Sequence, residues 1–163
     1  MDGADLLRGD IVLVPFPYVT DFKRAKTRPA LIIQNNVGNR FGSTVIVALI
    51  SSSIPVKQYP MHYTISHPSP VAKAAGLKTS SVVKMETLVT LPRRAILQRL
   101  GHLPREPVRE ADRALAFSFD LRLAPMRLRH FRLNRASREE AMWLRDTINR
   151  ESGAFDFRVE LRE

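Results

Sequence analysis

Apolar positions along this chain follow two different periods. Residues 11–14, 30–33 and 45–50 are short runs rich in β-branched side chains and bounded by Pro, Gly, Asn or Ser, so they predict buried strands. Residues 59–65, 81–85 and 87–91 predict further strands, the last two as a consecutive pair interrupted by Glu86. After Pro104 the period lengthens: Val108, Ala111, Leu115, Phe119 and Arg122 fall on one helical face, and Glu106 and Glu110 sit in the first turn, where the helix dipole favours acids. Pro125 marks the end of that core. Beyond it, Ser137-Arg138-Glu139-Glu140 offers a capping box for a helix running to about Arg150, and residues 154–161 alternate like a short strand.

Breakers place the connections. Pro15 and Pro17 mark the close of the first strand, and residues 17–27 read as a polar loop carrying Lys23, Arg24 and Lys26. Gly38 and Gly42 mark a turn between the second and third runs. If those two runs pair antiparallel, Arg28 before the first and Ser51 to Ser53 after the second meet at one edge of a sheet. That edge is the place to look for chemistry.

Length and composition narrow the classes. A chain of 163 residues with 44% apolar content suits one folded domain, with or without an appendage. Its 26 Lys and Arg against 16 Asp and Glu give a formal charge of +10, which points to a nucleic-acid partner. Residues 1–121 hold 16 basic and 9 acidic residues for +7, and residues 122–163 hold 10 and 7 for +3. Most of the excess belongs to the first part. The absence of cysteine removes thiolate and Cys-zinc chemistry. With no apolar leader and no run near the ~20 residues that span a bilayer, the expectation is a cytoplasmic protein without a membrane partner.

Phosphate-loop, zincin and nucleophile-elbow motifs are missing, as is any carboxylate cluster for two metal ions, so no metal or other cofactor is expected. Metal-free chemistry on a nucleic-acid phosphate has to stabilise charge on the phosphorane oxygens. Arginine suits that task, because its planar fork can hold two of those oxygens. Arg28 is the candidate for that role.

Arg8-Gly9-Asp10 before the first strand, the run from Arg28-Pro29 to Gln34-Asn35, then Gly38-Asn39-Arg40-Phe41 and the strand ending at Ser51 together resemble the MazF/PemK-type toxins of bacterial toxin-antitoxin modules. The likeness continues more weakly through residues 81–86 to about Leu121. It implies a mainly β fold, a small SH3-like barrel with a C-terminal helix, over residues 1–121, and leaves 122–163 as a basic extension of unknown role. It also implies a homodimer that cleaves single-stranded mRNA to 2′,3′-cyclic phosphate and 5′-hydroxyl ends, silenced by a cognate acidic antitoxin. Rival readings are a CcdB-like poison that binds a protein, and a degenerate nucleic-acid-binding module.

The resemblance pairs Arg28 with a strand-closing hydroxyl that is commonly threonine and here is Ser51, with Ser52 beside it as an alternative. Glu86 is a further catalytic candidate, with an ion-pair role as its alternative, and Thr87 stands where the family often has glutamine. Lys23, Arg24, Lys26, Gln34, Asn39, Arg40 and Thr87 are the RNA-binding candidates, although a turn built from Asn and Gly explains Gln34 to Arg40 without a ligand. His62 and His67 are the available imidazoles, and Phe16, Tyr18 and Phe22 the aromatics near the loop.

Overall fold

The computed structural model describes residues 6–18, 21–121, 130–133, 142 and 158–161. It divides into two compact units, Met1–Leu121 and Arg122–Glu163.

The first unit is a six-stranded antiparallel sheet. Its strands are β1 (Asp10–Tyr18), β2 (Asp21–Ile32), β3 (Thr44–Ser51), β4 (His62–Ile65), β5 (Ser81–Pro92) and β6 (Gln98–His102), in the spatial order β4-β5-β3-β2-β1-β6. Three helices join it: α1 (Asn36–Phe41), α2 (Pro70–Ala75) and α3 (Arg105–Ser118). The fold class is the expected one, mainly β with a C-terminal helix. Among the described residues no ladder joins β4 to β6, so the sheet is not closed by hydrogen bonds into a full barrel.

Both faces of the sheet are buried. One core gathers Ile11, Leu31, Ala48, Ile65, Val83 and Met85 under α2 and α3; Ala111 and Ala114 let α3 lie close. The other gathers Val12, Val14, Phe16, Ala30, Ile32 and Val47, with Ile96 from the connection into β6. Strands buried on both sides read as continuous apolar runs, which is why 30–33 and 45–50 stand out in the sequence.

Several elements differ from the sequence reading. The predicted loop at 17–27 is instead a long ribbon, in which Pro15 opposes Thr27 and Pro17 opposes Ala25. The two prolines fit inside β1 because β6 pairs it only from Asp10 to Leu13, leaving one edge open where a missing N–H costs nothing. The Gly38 turn contains the short helix α1, with Asn35 as its N-cap accepting from the Gly38 N–H at 2.7 Å. Ser69 likewise caps α2, so the proline pair at 68 and 70 starts a helix as well as ending a strand.

The predicted pair at 81–85 and 87–91 is one strand with a bulge. Ala48 opposes Leu88 and the next residue, Leu49, opposes Lys84, so Met85, Glu86 and Thr87 have no opposite number on β3. Phe119, assigned by its period to the packed face of the helix, is the C-cap of α3 and is exposed.

The end of the sheet at the start of β1 is sealed by paired charge. Asp10 is fully buried; its Oδ1 meets His102 Nδ1 at 2.8 Å and Arg99 Nη2 at 2.7 Å, and its Oδ2 accepts from the Leu7 N–H at 2.9 Å. Arg8 pairs with Asp112 of α3. Gly9, at φ +94°, has room for no side chain, since a Cβ there would come within 2.8 Å of Val108.

In the second unit, β7 (His130–Leu133) and β8 (Arg158–Leu161) pair in parallel. β8 falls in the segment predicted to be a strand, and β7 was not anticipated. Arg122 and the helix predicted from Ser137 to about Arg150, Met142 apart, lie outside the described residues.

Candidate active site

Antiparallel pairing settles which side chains share a face, because directly opposed residues point the same way and every second residue returns to that side. Val14 opposes Arg28, and Ala30 opposes Leu49. Arg28, Ala30, Leu49 and Ser51 therefore lie on the face that bears the second core. The β2–β3 ladder runs from Ala30 to Ile32; the same register extended two residues sets Arg28 opposite Ser51.

The face continues across the sheet. Leu49 opposes Lys84, which opposes His62, while Ser51 opposes Val82, which opposes Thr64. On the other side Lys26 opposes Phe16, and the alternation adds Arg24. Tyr18 lies against two of these cations, with its ring centroid 5.7 Å from the Arg24 guanidinium carbon and 5.8 Å from that of Arg28. None of the ion pairs formed among the described residues engages Arg24, Lys26, Arg28 or Lys84. The face thus carries uncompensated positive charge beside a hydroxyl.

Ser51 is 8% exposed, and its Oγ accepts from the Ser53 N–H at 3.1 Å. This turn fixes the oxygen and leaves the hydroxyl proton available to an acceptor. Ser52 lies one residue beyond the strand and is exposed.

Glu86 stands in the bulge of β5, where its Oε1 meets His62 Nε2 at 3.1 Å. The Tyr59 N–H points at His62 Nδ1 at 3.3 Å, so the neutral ring carries its proton on Nε2 and donates it to Glu86. The His62 side chain is 7% exposed and the Glu86 side chain 38%. With both nitrogens engaged, His62 orients the carboxylate. Thr87 follows in the same bulge and is half-buried, and His67 is exposed in the loop after β4.

Gln34, Asn39 and Arg40 are not brought to this edge. They belong to the α1 turn before β3, whose 8 residues separate them from Ser51 by roughly 20 Å at ~3.3 Å per residue. Gln34 Nε2 donates to the Thr44 carbonyl at 2.9 Å, and the fully buried Asn39 donates to the Gln34 carbonyl at 3.0 Å. Arg40 lies over the Phe41 ring at 5.8 Å. Lys23 falls on the opposite side of β2 from Arg24 and Lys26, beside Asp21, whose carboxylate accepts from its backbone N–H at 3.1 Å. Phe16 is a core residue, 2% exposed.

One residue on this face, Lys84, was not singled out from the sequence, although it has a signal there as the one polar position in an apolar run. The partnership of His62 with Glu86 has none, since 24 positions separate them. Among the described residues no three His, Cys, Asp or Glu side chains gather as a metal site, and no helix is long and apolar enough to cross a membrane.

Comparison with known proteins bears on the fold and the family. Residues 7–119 match the family described as PemK-like, MazF-like toxin of type II toxin-antitoxin system. Endoribonuclease EndoA of Bacillus subtilis (strain 168) is 33% identical over 114 residues, spanning 70% of this chain and 94% of that protein. Among solved structures, an endoribonuclease in complex with its cognate antitoxin from Mycobacterial species superposes with a TM-score of 0.57 at 19% identity, covering 73% of this chain and 99% of that one. A MazE-MazF structure from Deinococcus radiodurans gives 0.54 at 19% identity, covering 74% and 100%. With a family match that takes in more than two thirds of its length, this chain belongs to the PemK-like, MazF-like toxins of type II toxin-antitoxin systems.

Proposed function

We propose that this chain is a metal-independent endoribonuclease toxin that cleaves single-stranded mRNA in the cytoplasm, with Arg28 and Ser51 as its catalytic pair. The observation that carries the reading is the shared face of those two residues, each two positions beyond the Ala30–Leu49 pair, beside cations that enter no ion pair among the described residues. The RNA 2′-oxygen attacks phosphorus and loses its proton. The bond to the 5′-oxygen breaks, that oxygen gains a proton, and the products are a 2′,3′-cyclic phosphate and a 5′-hydroxyl. Arg28 holds two non-bridging oxygens as their charge grows, and Ser51 donates its hydroxyl proton to the same group.

Glu86, steadied by His62, contributes a fixed acceptor at the end of the strip. Arg24 and Lys26 hold flanking phosphates, and the Tyr18 ring packs against both the Arg24 and Arg28 guanidinium groups. An acidic antitoxin segment suits the same cations, and the family's solved members include one held with its cognate antitoxin. Residues 1–121 form the working part, as a homodimer, and 122–163 an appendage, since the family match ends at 119.

The test is incubation of the purified protein with a long RNA in EDTA. Discrete fragments with cyclic-phosphate ends are expected from the wild type and none from Arg28→Ala. A protein truncated after Leu121 is expected to cut the same RNA at the same sites. Unchanged cutting by Arg28→Ala would remove the assignment.

A further inference from the structure

The connection from β3 to β4, residues 52–61, starts at Ser51 and is tied back onto the face that bears it. The Thr64 hydroxyl donates to Gln58 Oε1 at 2.7 Å, and Thr64 shares a cross-strand row with Val82 and Ser51. Tyr59 to His62 form a turn closed by the His62 N–H on the Tyr59 carbonyl at 2.8 Å, with Pro60 at the position that its fixed φ suits. The Met85 N–H donates to the Met61 carbonyl at 3.2 Å, which fastens the turn to β5 next to Glu86.

The backbone of Tyr59 is therefore pinned while its side chain stays uncovered. Its ring stands nearly perpendicular to that of His62, with centroids 5.9 Å apart, and the Lys57 ammonium lies 5.2 Å from its centre. The residue is nevertheless 47% exposed. An aromatic ring held in place but left in water forgoes the burial that would stabilise the fold, so folding alone does not account for it.

The acid beside it is only half used. Glu86 Oε1 takes the proton of His62, and Oε2 accepts no hydrogen bond among the described residues. Between Asp21 and Glu106 the sequence holds no other carboxylate. On a cationic face one acid repels phosphate, and what it attracts is an N–H donor.

Strand geometry puts Tyr59 and Glu86 near Arg28 and Ser51 without contact. Glu86 lies four residues along β5 from Val82, which opposes Ser51, so the two Cα atoms are about 14 Å apart at ~3.3 Å per residue and ~4.8 Å between strands. A single strand that advances ~3.4 Å per stacked nucleotide covers that span in about four.

We propose that Tyr59 and Glu86 form a nucleobase subsite: the Tyr59 ring stacks a base close to the cut, Lys57 holds that nucleotide's phosphate, and Glu86 Oε2 accepts from an amino group on the base edge. It rests on the ribonuclease reading above. Adenine, cytosine and guanine each carry such an amino group, whereas uracil offers one N–H between two carbonyl oxygens that the carboxylate repels. Uracil is the excluded base. An acidic peptide, which suits the cations, meets like charge at Glu86.

The binding experiment uses the full chain carrying Arg28→Ala, so that RNA stays intact, and a single-stranded RNA made abasic at one position at a time. Among the positions where a missing base weakens binding in fluorescence anisotropy, one should be coupled to Tyr59. Adding Tyr59→Ala should weaken binding of the intact RNA roughly 5–150-fold, as loss of one base stack does, and cost nothing further on the RNA abasic at that position. Tyr59→Phe, which keeps the ring, should bind like its parent. The acid is read by sequencing the ends that the protein with Arg28 intact produces from a randomised RNA. Uracil should be depleted at one position near the cut, and Glu86→Gln, whose amide can donate to a carbonyl, should admit it there and leave the preferences elsewhere in place.

If Tyr59→Ala adds its full cost on every abasic RNA, or Glu86→Gln leaves the uracil frequency unmoved, the subsite falls while cutting by the protein with Arg28 intact upholds the ribonuclease reading. If that protein cuts no RNA, the ribonuclease reading falls and the subsite with it.

Discussion

The two ends of the central sheet handle charge in opposite ways. Where β1 begins, the buried carboxylate of Asp10 is met by His102, Arg99 and a backbone N–H, and Arg8 is matched by Asp112. Where β3 ends, Arg24, Lys26, Arg28 and Lys84 share a face and pair with no carboxylate among the described residues. Acids tie β1 to β6 and Arg8 to α3 at the first end, whereas at the second the one nearby carboxylate, Glu86, is engaged by His62 and leaves these cations unmatched. One end is architecture and the other is reserve.

Substitutions sharpen that contrast from both sides. The largest effect is expected at Arg28: Arg28→Ala should lower RNA cleavage by roughly 10²–10³-fold, the cost of removing one donor to a developing oxyanion, with the thermal midpoint nearly unmoved. A gel of RNA fragments beside a melting curve checks it. A large fall in melting temperature would instead make Arg28 part of the architecture.

Asp10 should behave in the converse manner. Asp10→Ala strands the half-exposed Arg99 guanidinium, the His102 ring and a backbone N–H, for an expected loss of about 2–3 kcal/mol in urea unfolding, with cleavage per folded molecule retained. Ser51→Ala, which removes one neutral hydrogen bond to the transition state, should cost cleavage about 10-fold and stability little. Ser51→Thr should keep activity, and a rate equal to that of Ser51→Ala would exclude the hydroxyl from the chemistry.

Smaller still, Arg24→Ala should flatten the salt dependence of RNA binding by about 0.7, as expected for one phosphate contact. The Arg99→Ala variant, at the sealed end, should leave that slope alone.

Tyr63, on β4 level with Ile50 near the end of β3, adds a test by pH. Burial, with the charge of Glu110 behind it, raises its hydroxyl above the usual 10.0. The fold thus favours the neutral phenol, so its contribution to stability is whole below pH 10 and is lost as pH climbs through the raised value. Tyr63→Phe should flatten the alkaline fall in urea stability.

Much of this was legible in the chain. Arg28 and Ser51 bracket two apolar runs whose antiparallel pairing alone carries both to one edge, so their shared placement could be read before any coordinates. The ribbon at 17–27 could not, because prolines and lysines signal a loop unless it is known that β6 leaves that edge of β1 open. Phe119 shows the limit of helical period: the residue is in phase, but α3 stops at Ser118. Asn39 carries a side chain fit for reading bases, and its burial favours the turn role that the Asn and Gly pattern already offered as the alternative. The partnership of His62 with Glu86 arises from adjacent strands, which no local pattern encodes.

The three unopposed residues of β5 carry a constraint on chain length. Lys84 and Val82 face one side of the sheet before the interruption, whereas Val89 and Leu91 face that same side after it, so even numbers hand over to odd. Inserting or deleting one residue between Lys84 and Leu88 would invert half the strand, turning either Val83 or Val89 out of its core and sending Lys84 or Thr90 in after it. Loop-length variation is therefore tolerable in the β3–β4 connection and forbidden here. A library of single-residue insertions scanned along β5 should show its deepest loss of folded protein at these three positions.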